Sequence, residues 1–171
     1  AIRIIRTNLE FLLKDVQEGV AKTIFVTSSF PKEGKTFVSV NLASTIALSD
    51  KKVLLVGLDI RNPKIDNYLQ VPTVGLTNYL SSNKYNSIDE LIVKIDNYSN
   101  FYVLPAGIIP PNPAELLMDK KVGKLFEELR TKFDYVIVDT APVSLVTDTL
   151  IIGHLADAFV YVTRANYLDK H

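Results

Sequence analysis

Hydrophobic residues along the chain gather into five short runs: "TIFVTS" from Thr23, "VLLVGL" from Val53, "FYVLP" from Phe101, "YVIVD" from Tyr135 and "FVYVT" from Phe159. The runs are continuous rather than alternating, as parallel strands covered on both faces require. Between them, apolar residues recur at helical spacing: Val38, Leu42 and Ile46 after the first run, and Val122, Phe126 and Leu129 before the fourth. "NPAE" supplies a start for the second of these helices, with Asn112 as cap, Pro113 in the first turn and Glu115 three residues past the cap. Strand and helix in alternation predict βαβ units, hence an α/β fold with a doubly wound, mainly parallel β-sheet flanked by helices. The first element stands apart. Ile2, Ile5, Leu9 and Leu12 form one apolar helix face, and Arg3, Arg6 and Glu10 line a neighbouring stripe. Residues 63–100 are the most polar and least regular part, with short helical pieces such as "SIDELIVKI".

Composition narrows the function classes. A chain of 171 residues fits one domain and can bury roughly 70% of its unfolded surface, so no staple is needed. It has no cysteine, which removes disulfides, thiolate metal sites and cysteine nucleophiles and agrees with a reducing compartment. Nineteen basic residues balance nineteen acidic ones, so the global basic field expected of a nucleic-acid binder is missing. Neither a transmembrane-length apolar run nor an export-signal pattern is present. The chain begins inside a helical pattern and stops just after a strand-like run, so a piece of a longer polypeptide is expected.

The strongest local signal lies between the first strand and the first long helix, in "SSFPKEGKTF" from Ser28 to Phe37. It matches the P-loop pattern at Gly34, Lys35 and Thr36, with Ser29 where the first glycine usually stands. In a loop of this kind backbone N–H groups and the helix start wrap the phosphates, Lys35 would supply a point charge at the β- and γ-phosphates, and the Thr36 hydroxyl would ligate Mg²⁺. The loop candidates are therefore Ser29, Pro31, Lys32, Glu33, Gly34, Lys35, Thr36 and Phe37.

A P-loop also needs an acid on a neighbouring strand. "YVIVDTAP" places Asp139 directly after four apolar residues, where a metal-holding Walker B acid belongs. "VLLVGLDIRNP" ends a second apolar run in Asp59 and Arg61, charges that are costly to bury unless paired or bound. Asp59 is expected as a second carboxylate near the metal, with Arg61 neutralising either phosphate or Asp59 itself. All these pieces fall at the carboxyl ends of strands in a parallel sheet, where ligand crevices form.

Taken together, the motifs resemble the bacterial tyrosine kinases, the cytoplasmic kinase domains that accompany capsule and exopolysaccharide export. The resemblance spans essentially the whole chain. The family's Walker A form S-x-x-P-x-E-G-K-[ST] is matched from Ser28 to Thr36. Its Walker A′ form, three apolar residues and then D-x-D-x-R, is matched at Asp59 and Arg61, but the first acid is replaced by Gly57. Its Walker B form fits Asp139 and Pro142. "IRIIRTNL" is similar to the end of the family's E-x-x-R-x-x-R-T-N helix, and "LPAGIIPPNPAELL" to its loop and helix start.

The resemblance implies a P-loop NTPase fold like that of partition ATPases, with residues 1–16 an oligomerisation-type helix and residues 23–163 the nucleotide-binding core. It implies ATP- and Mg²⁺-dependent phosphorylation of tyrosine on a neighbouring copy, in a ring-shaped homo-oligomer contacted through Arg3 and Arg6. The roles implied are catalytic for Lys35, Asp59, Arg61 and Asp139, and metal-holding for Thr36, Asp59 and Asp139. Protein tyrosines are the implied substrates, and a transmembrane activator segment or partner outside this chain would hold the kinase at the inner face of the bacterial membrane.

Two rivals share the motifs. A partition or septum-placement ATPase switch usually carries a signature lysine five residues before the main one, and Phe30 stands there. A catalytically weak nucleotide-binding scaffold of the export machinery is argued for by Gly57. Iron–sulfur carrier ATPases are excluded by the lack of cysteine. His154 reads as a partly buried helix residue, and His171 is terminal. Tyr68, Tyr79, Tyr85 and Tyr98 read as aromatics packed on the surface, and Tyr167 is too solitary for the family's C-terminal acceptor cluster.

Overall fold

The computed structural model describes residues 1–144 and 147–165, so Tyr167 and His171 lie outside the described residues. Helix α1 (Ile2–Leu12) leads into strand β1 (Lys22–Ser28) and helix α2 (Lys35–Ala47), and strand β2 (Val53–Gly57) follows. Next come α3 (Leu76–Leu80), β3 (Val93–Lys94), β4 (Phe101–Leu104), α4 (Pro113–Met118) and α5 (Lys120–Arg130). Strand β5 (Tyr135–Asp139), helix α6 (Asp148–Ile152) and strand β6 (Ala158–Val162) complete the described chain.

These strands form one sheet in the order β3-β4-β2-β5-β1-β6, parallel except for β3, which runs antiparallel to β4. The period of two along each strand sends alternate side chains to opposite faces. Ile24, Val26, Val53, Leu55 and Ile137 meet α1 and α2 on one face, through Leu9, Leu13, Leu42, Ala43 and Ile46. Phe25, Leu54, Val56, Val136 and Val138 meet α3 to α6 on the other, around Leu76, Leu117, Leu125, Phe126 and Ile152. Burial on both faces is why the inner strands read as unbroken apolar runs. The chain steps from β1 over β5 to β2 and later returns beyond β1 to β6, so the crevice at the carboxyl ends of β1, β5 and β2 is the topological switch point.

The structure corrects several local expectations. On α1 the inward face is Ile2, Ile5 and Leu9, continued by Leu13 just past its end, whereas Leu12 is exposed. The reason is helical phase: Leu13, four residues after Leu9, stays on the buried stripe. "NPAE" opens the short α4 rather than α5, and Asn112 provides no side-chain cap. The Asp119 side chain accepts from the Lys121 N–H and starts α5 afresh. "SIDELIVKI" holds one 3₁₀ turn at Ile88–Glu90 and then β3, not a longer helix. β6 is not buried on both faces, because it lies at the sheet edge among the described residues and leaves Phe159 and Tyr161 half exposed. His154 is exposed in a 3₁₀ turn at Gly153–Leu155 rather than partly buried in a helix.

Candidate active site

The loop between β1 and α2 owes its shape to two left-handed residues, Lys32 at φ 65° and Gly34 at φ 91°. Gly34 takes that conformation at little steric cost, and it lets α2 begin at Lys35 with its amides facing the loop. Glu33 braces the turn, its carboxylate accepting from the Phe30 N–H at 3.0 Å and from the Arg164 N–H at 3.5 Å. Ser29 points to the side, where its hydroxyl meets the Tyr161 hydroxyl of β6. Phe37 turns outward and packs on Tyr68 at a ring separation of 6.2 Å. Ser28, Pro31, Lys32, Gly34, Lys35 and Thr36 line the loop-side cavity together with Asp59 and Arg61, in a volume of about 140 Å³.

Asp139, at the end of β5, is the hub. Its carboxylate accepts from Lys35 Nζ at 2.7 Å, from the Thr36 hydroxyl at 2.9 Å and from the Ser39 hydroxyl at 3.1 Å. Its backbone carbonyl accepts from the N–H groups of Leu58 and Asp59 at 2.8 and 2.9 Å, which ties the end of β2 to β5. A carboxylate that is 1% exposed is sustained only by this density of donors. Ser39 was not anticipated. It lies one helical turn after Lys35, on the α2 face that packs on the sheet, and that spacing is the signal in the sequence that marks it.

Asp59 sits 3.9 Å from Lys35 Nζ and accepts from the Asn62 N–H at 3.1 Å. Burial pushes its pKa above 3.8, and the Lys35 charge only partly opposes this. Three hard oxygen-bearing side chains, Thr36, Asp59 and Asp139, thus converge around one lysine, a donor set of the kind Mg²⁺ takes.

Arg61 does not pair with Asp59. Its guanidinium forks onto Asp148 at 2.7 and 3.1 Å, and this bond raises the Arg61 pKa. Asp148 is 3% exposed at the start of α6, and the sequence reading missed it. The signal was faint: a lone acid nine residues past Asp139, in a stretch with no helical periodicity.

Gly57 pairs in register with Asp139. A Cβ there would stand 2.8 Å from the Ala106 backbone nitrogen and 3.3 Å from both the Ala106 Cβ and the Ile65 Cδ1. The loop after β4 therefore occupies the space that an acid at this position would need.

Tyr68 lines the loop-side cavity, whereas Tyr79, Tyr85 and Tyr98 are partly buried against the core. Arg3 is exposed and Arg6 pairs with Glu10 at 3.6 Å, both remote in sequence from the loop that holds Lys35. Among the described residues no cluster of three or more His, Cys, Asp or Glu side chains suits a metal ion, so any metal here would draw on the Thr36 hydroxyl. No described helix is long and apolar enough to cross a membrane.

A family model described as an AAA domain matches residues 21–168. Tyrosine-protein kinase YwqD of Bacillus subtilis (strain 168) is 40% identical over 169 residues, covering 98% of this chain and 69% of that protein. The chain belongs to the bacterial tyrosine-kinase family. The solved kinase domain of Escherichia coli tyrosine kinase ETK superposes with a TM-score of 0.89 at 34% identity, across 98% of this chain and 64% of that one. The chain spans only 22% of the full-length etk kinase of Escherichia coli (strain K12), so most of that relative has no counterpart in it. The septum site-determining protein MinD of Pyrococcus horikoshii OT3, solved with Mg-ADP, shares the fold at a TM-score of 0.67 and 21% identity. The kinase relatives therefore match in sequence and fold, while the septum site-determining protein matches in fold alone.

Proposed function

We propose that this chain is the catalytic core of an autophosphorylating protein-tyrosine kinase that uses MgATP and serves capsule or exopolysaccharide export. The observation that carries the reading is the convergence of Lys35, Thr36, Ser39 and Asp59 on or beside Asp139, within a fold whose sequence relatives are named tyrosine-protein kinases.

In this reading the Gly34–Phe37 amides and Lys35 hold the phosphates, and positioning with charge stabilisation supplies most of the rate. When bound, Mg²⁺ would neutralise charge building on the phosphoryl oxygens, held by Thr36, Asp139 and Asp59. The acceptor phenol oxygen forms a bond to the γ-phosphorus as the bond to the β–γ bridging oxygen breaks. ADP leaves, and the phenolic proton passes to Asp59 or to water. With Gly57 in place of the first acid, Asp59 is the sole Walker A′ carboxylate for both metal and proton. Arg61 lines the loop-side cavity and also fixes the segment that carries Asp59 to α6. Homo-oligomer contact through Arg3 and Arg6, and attachment to the membrane through a segment or partner outside this chain, belong to the same proposal and rest on the family resemblance.

The test is the complete polypeptide with labelled ATP, reading phosphotyrosine and free phosphate separately. Phosphotyrosine is expected in the wild type, and Lys35→Met should abolish it, since one preorganised contact to the transferring group commonly contributes about 2.7–4 kcal/mol. Free phosphate without phosphotyrosine would favour a switch ATPase, and wild-type turnover in the Lys35→Met variant would refute the loop assignment.

A further inference from the structure

Asp148 is a buried charge that does not itself line the loop-side cavity. A carboxylate at that depth is costly without a compensating partner, and its partner is Arg61, which does line the cavity. Arg61 Nε donates to one carboxylate oxygen at 2.7 Å and Nη2 to the other at 3.1 Å. This fork occupies one edge of the guanidinium. The opposite edge, at Nη1, makes no hydrogen bond or ion pair among the described residues, and the side chain is 38% exposed.

Both ends of the pair are braced. Thr149, beside Asp148, is also buried, and its hydroxyl donates to the Ala141 carbonyl at 2.9 Å, which pins the start of α6 to the loop after β5. Ala141 and Pro142 of that loop are part of the cavity wall. On the other side, the Asn62 N–H donates to the Asp59 carboxylate at 3.1 Å and holds the turn that carries Arg61. A flexible arginine loses rotamer freedom when it seats on a ligand. One already forked onto a buried acid has lost it beforehand, so more of its interaction is realised as binding or catalysis.

The sheet order sets the direction in which the free edge is useful. Strand β5 lies between β1 and β2, so the segment after β2 faces the phosphate loop after β1 from the opposite side of Asp139. The amides of Gly34–Thr36 are the seat for a diphosphate. A third phosphate has to extend beyond that seat, into the space bounded by Lys35 on one side and the Asp59–Arg61 segment on the other.

We infer that Asp148 is a positioning residue that presents the free edge of Arg61 to the terminal phosphate of a nucleoside triphosphate, adding affinity that a diphosphate does not gain. The buried acid behind the guanidinium and the open edge in front give a fixed dipole with its positive end toward the ligand. A guanidinium edge matches phosphate oxygens in shape, and charge-assisted bonds of this kind are the strong ones. An ion pair that served the fold alone would not need one edge of its cation at the nucleotide cavity.

The inference rests on the nucleotide-site reading, and its test separates the two. Asp148→Asn keeps the side chain's shape and removes its charge, while Arg61→Lys keeps the charge and removes the fork. Affinities for a non-hydrolysable ATP analogue and for ADP, each with Mg²⁺, are measured in wild type, both variants and the double variant, alongside kcat. Each single variant should lose about tenfold in analogue affinity, the scale of one charge-assisted bond, while ADP affinity stays within about twofold of wild type. The kcat of each should fall by a similar factor. Because Asp148 acts through Arg61, adding Asp148→Asn to Arg61→Lys should cost no further analogue affinity. Arg61 is partly exposed, so Arg61→Lys carries the test if Asp148→Asn fails to fold. Equal losses for ADP and the analogue, or no loss for either, would make the pair structural and overturn the inference. A further loss in a folded double variant would overturn it too, by giving Asp148 a role apart from Arg61. Failure of the wild type to bind either nucleotide would instead remove the nucleotide-site reading beneath it.

Discussion

Asp59 is held where a carboxylate is poorly solvated. Its pKa lies above 3.8 because burial outweighs the attraction of Lys35. An acid raised on folding binds protons more readily in the folded than in the unfolded state. Its charge therefore costs the fold stability at pH above the raised value, and that cost vanishes as pH falls through the unfolded value near 3.8. Asp59→Asn should accordingly raise the melting temperature of the nucleotide-free protein at neutral pH, with the gain shrinking as the medium is acidified. The same substitution should cripple Mg²⁺-dependent ATP binding in a calorimetric titration. Loss of both stability and binding would mean that Asp59 is simply structural.

Between elements, the fork from Arg61 to Asp148 joins the segment after β2 to the first residue of α6, a link across 87 residues of chain. Asp148 is buried and Arg61 partly exposed, so removal of either leaves a charge without its partner. Arg61→Ala, which strands the buried Asp148 carboxylate, should cost about 1.5–3 kcal/mol in urea unfolding, Asp148→Ala, which leaves a guanidinium that water reaches, should cost less, and the double variant distinctly less than their sum. Additive losses would show that the two residues act independently. Elsewhere, Asp119 divides what looked like one helix from Asn112 to Arg130, because its extended backbone at ψ 140° cannot continue α4 while its side chain caps α5. That break was legible in principle, since Asp is a strong cap, but the clearer "NPAE" signal upstream drew the start away from it.

For the whole molecule, α1 is docked on α2 through Leu9 and Leu13 yet keeps Ile4, Phe11 and Leu12 exposed. Arg3 is exposed and the Arg6–Glu10 pair, at 3.6 Å, contributes only about 0.3–0.5 kcal/mol within the fold. Arg3→Ala combined with Arg6→Ala should therefore leave the melting temperature nearly unchanged while shifting sedimentation of the complete protein toward smaller species. Unaltered sedimentation would return the two arginines to a solvated stripe.

The sequence by itself determined the parallel sheet, because strands covered on both faces are mostly apolar, with polar residues such as Thr23, Thr27 and Asp139 buried only where they find hydrogen-bond partners, and so appear as nearly unbroken apolar runs. It also determined the loop at Gly34, Lys35 and Thr36 and the acids Asp59 and Asp139, because each stands at the end of such a run. Edge positions were less legible: β6 carries the same apolar run as a central strand although one face is open, and β3 is too short to show a period. Only the tertiary structure decided the pairings. Arg61 chose Asp148 over Asp59, Ser39 joined Asp139, and Ala106 filled the space beside Gly57, each through contacts between residues far apart in the chain. Local pattern reports which side chains must be buried. It does not report which buried groups meet, since that depends on how the loops at one end of the sheet close over it.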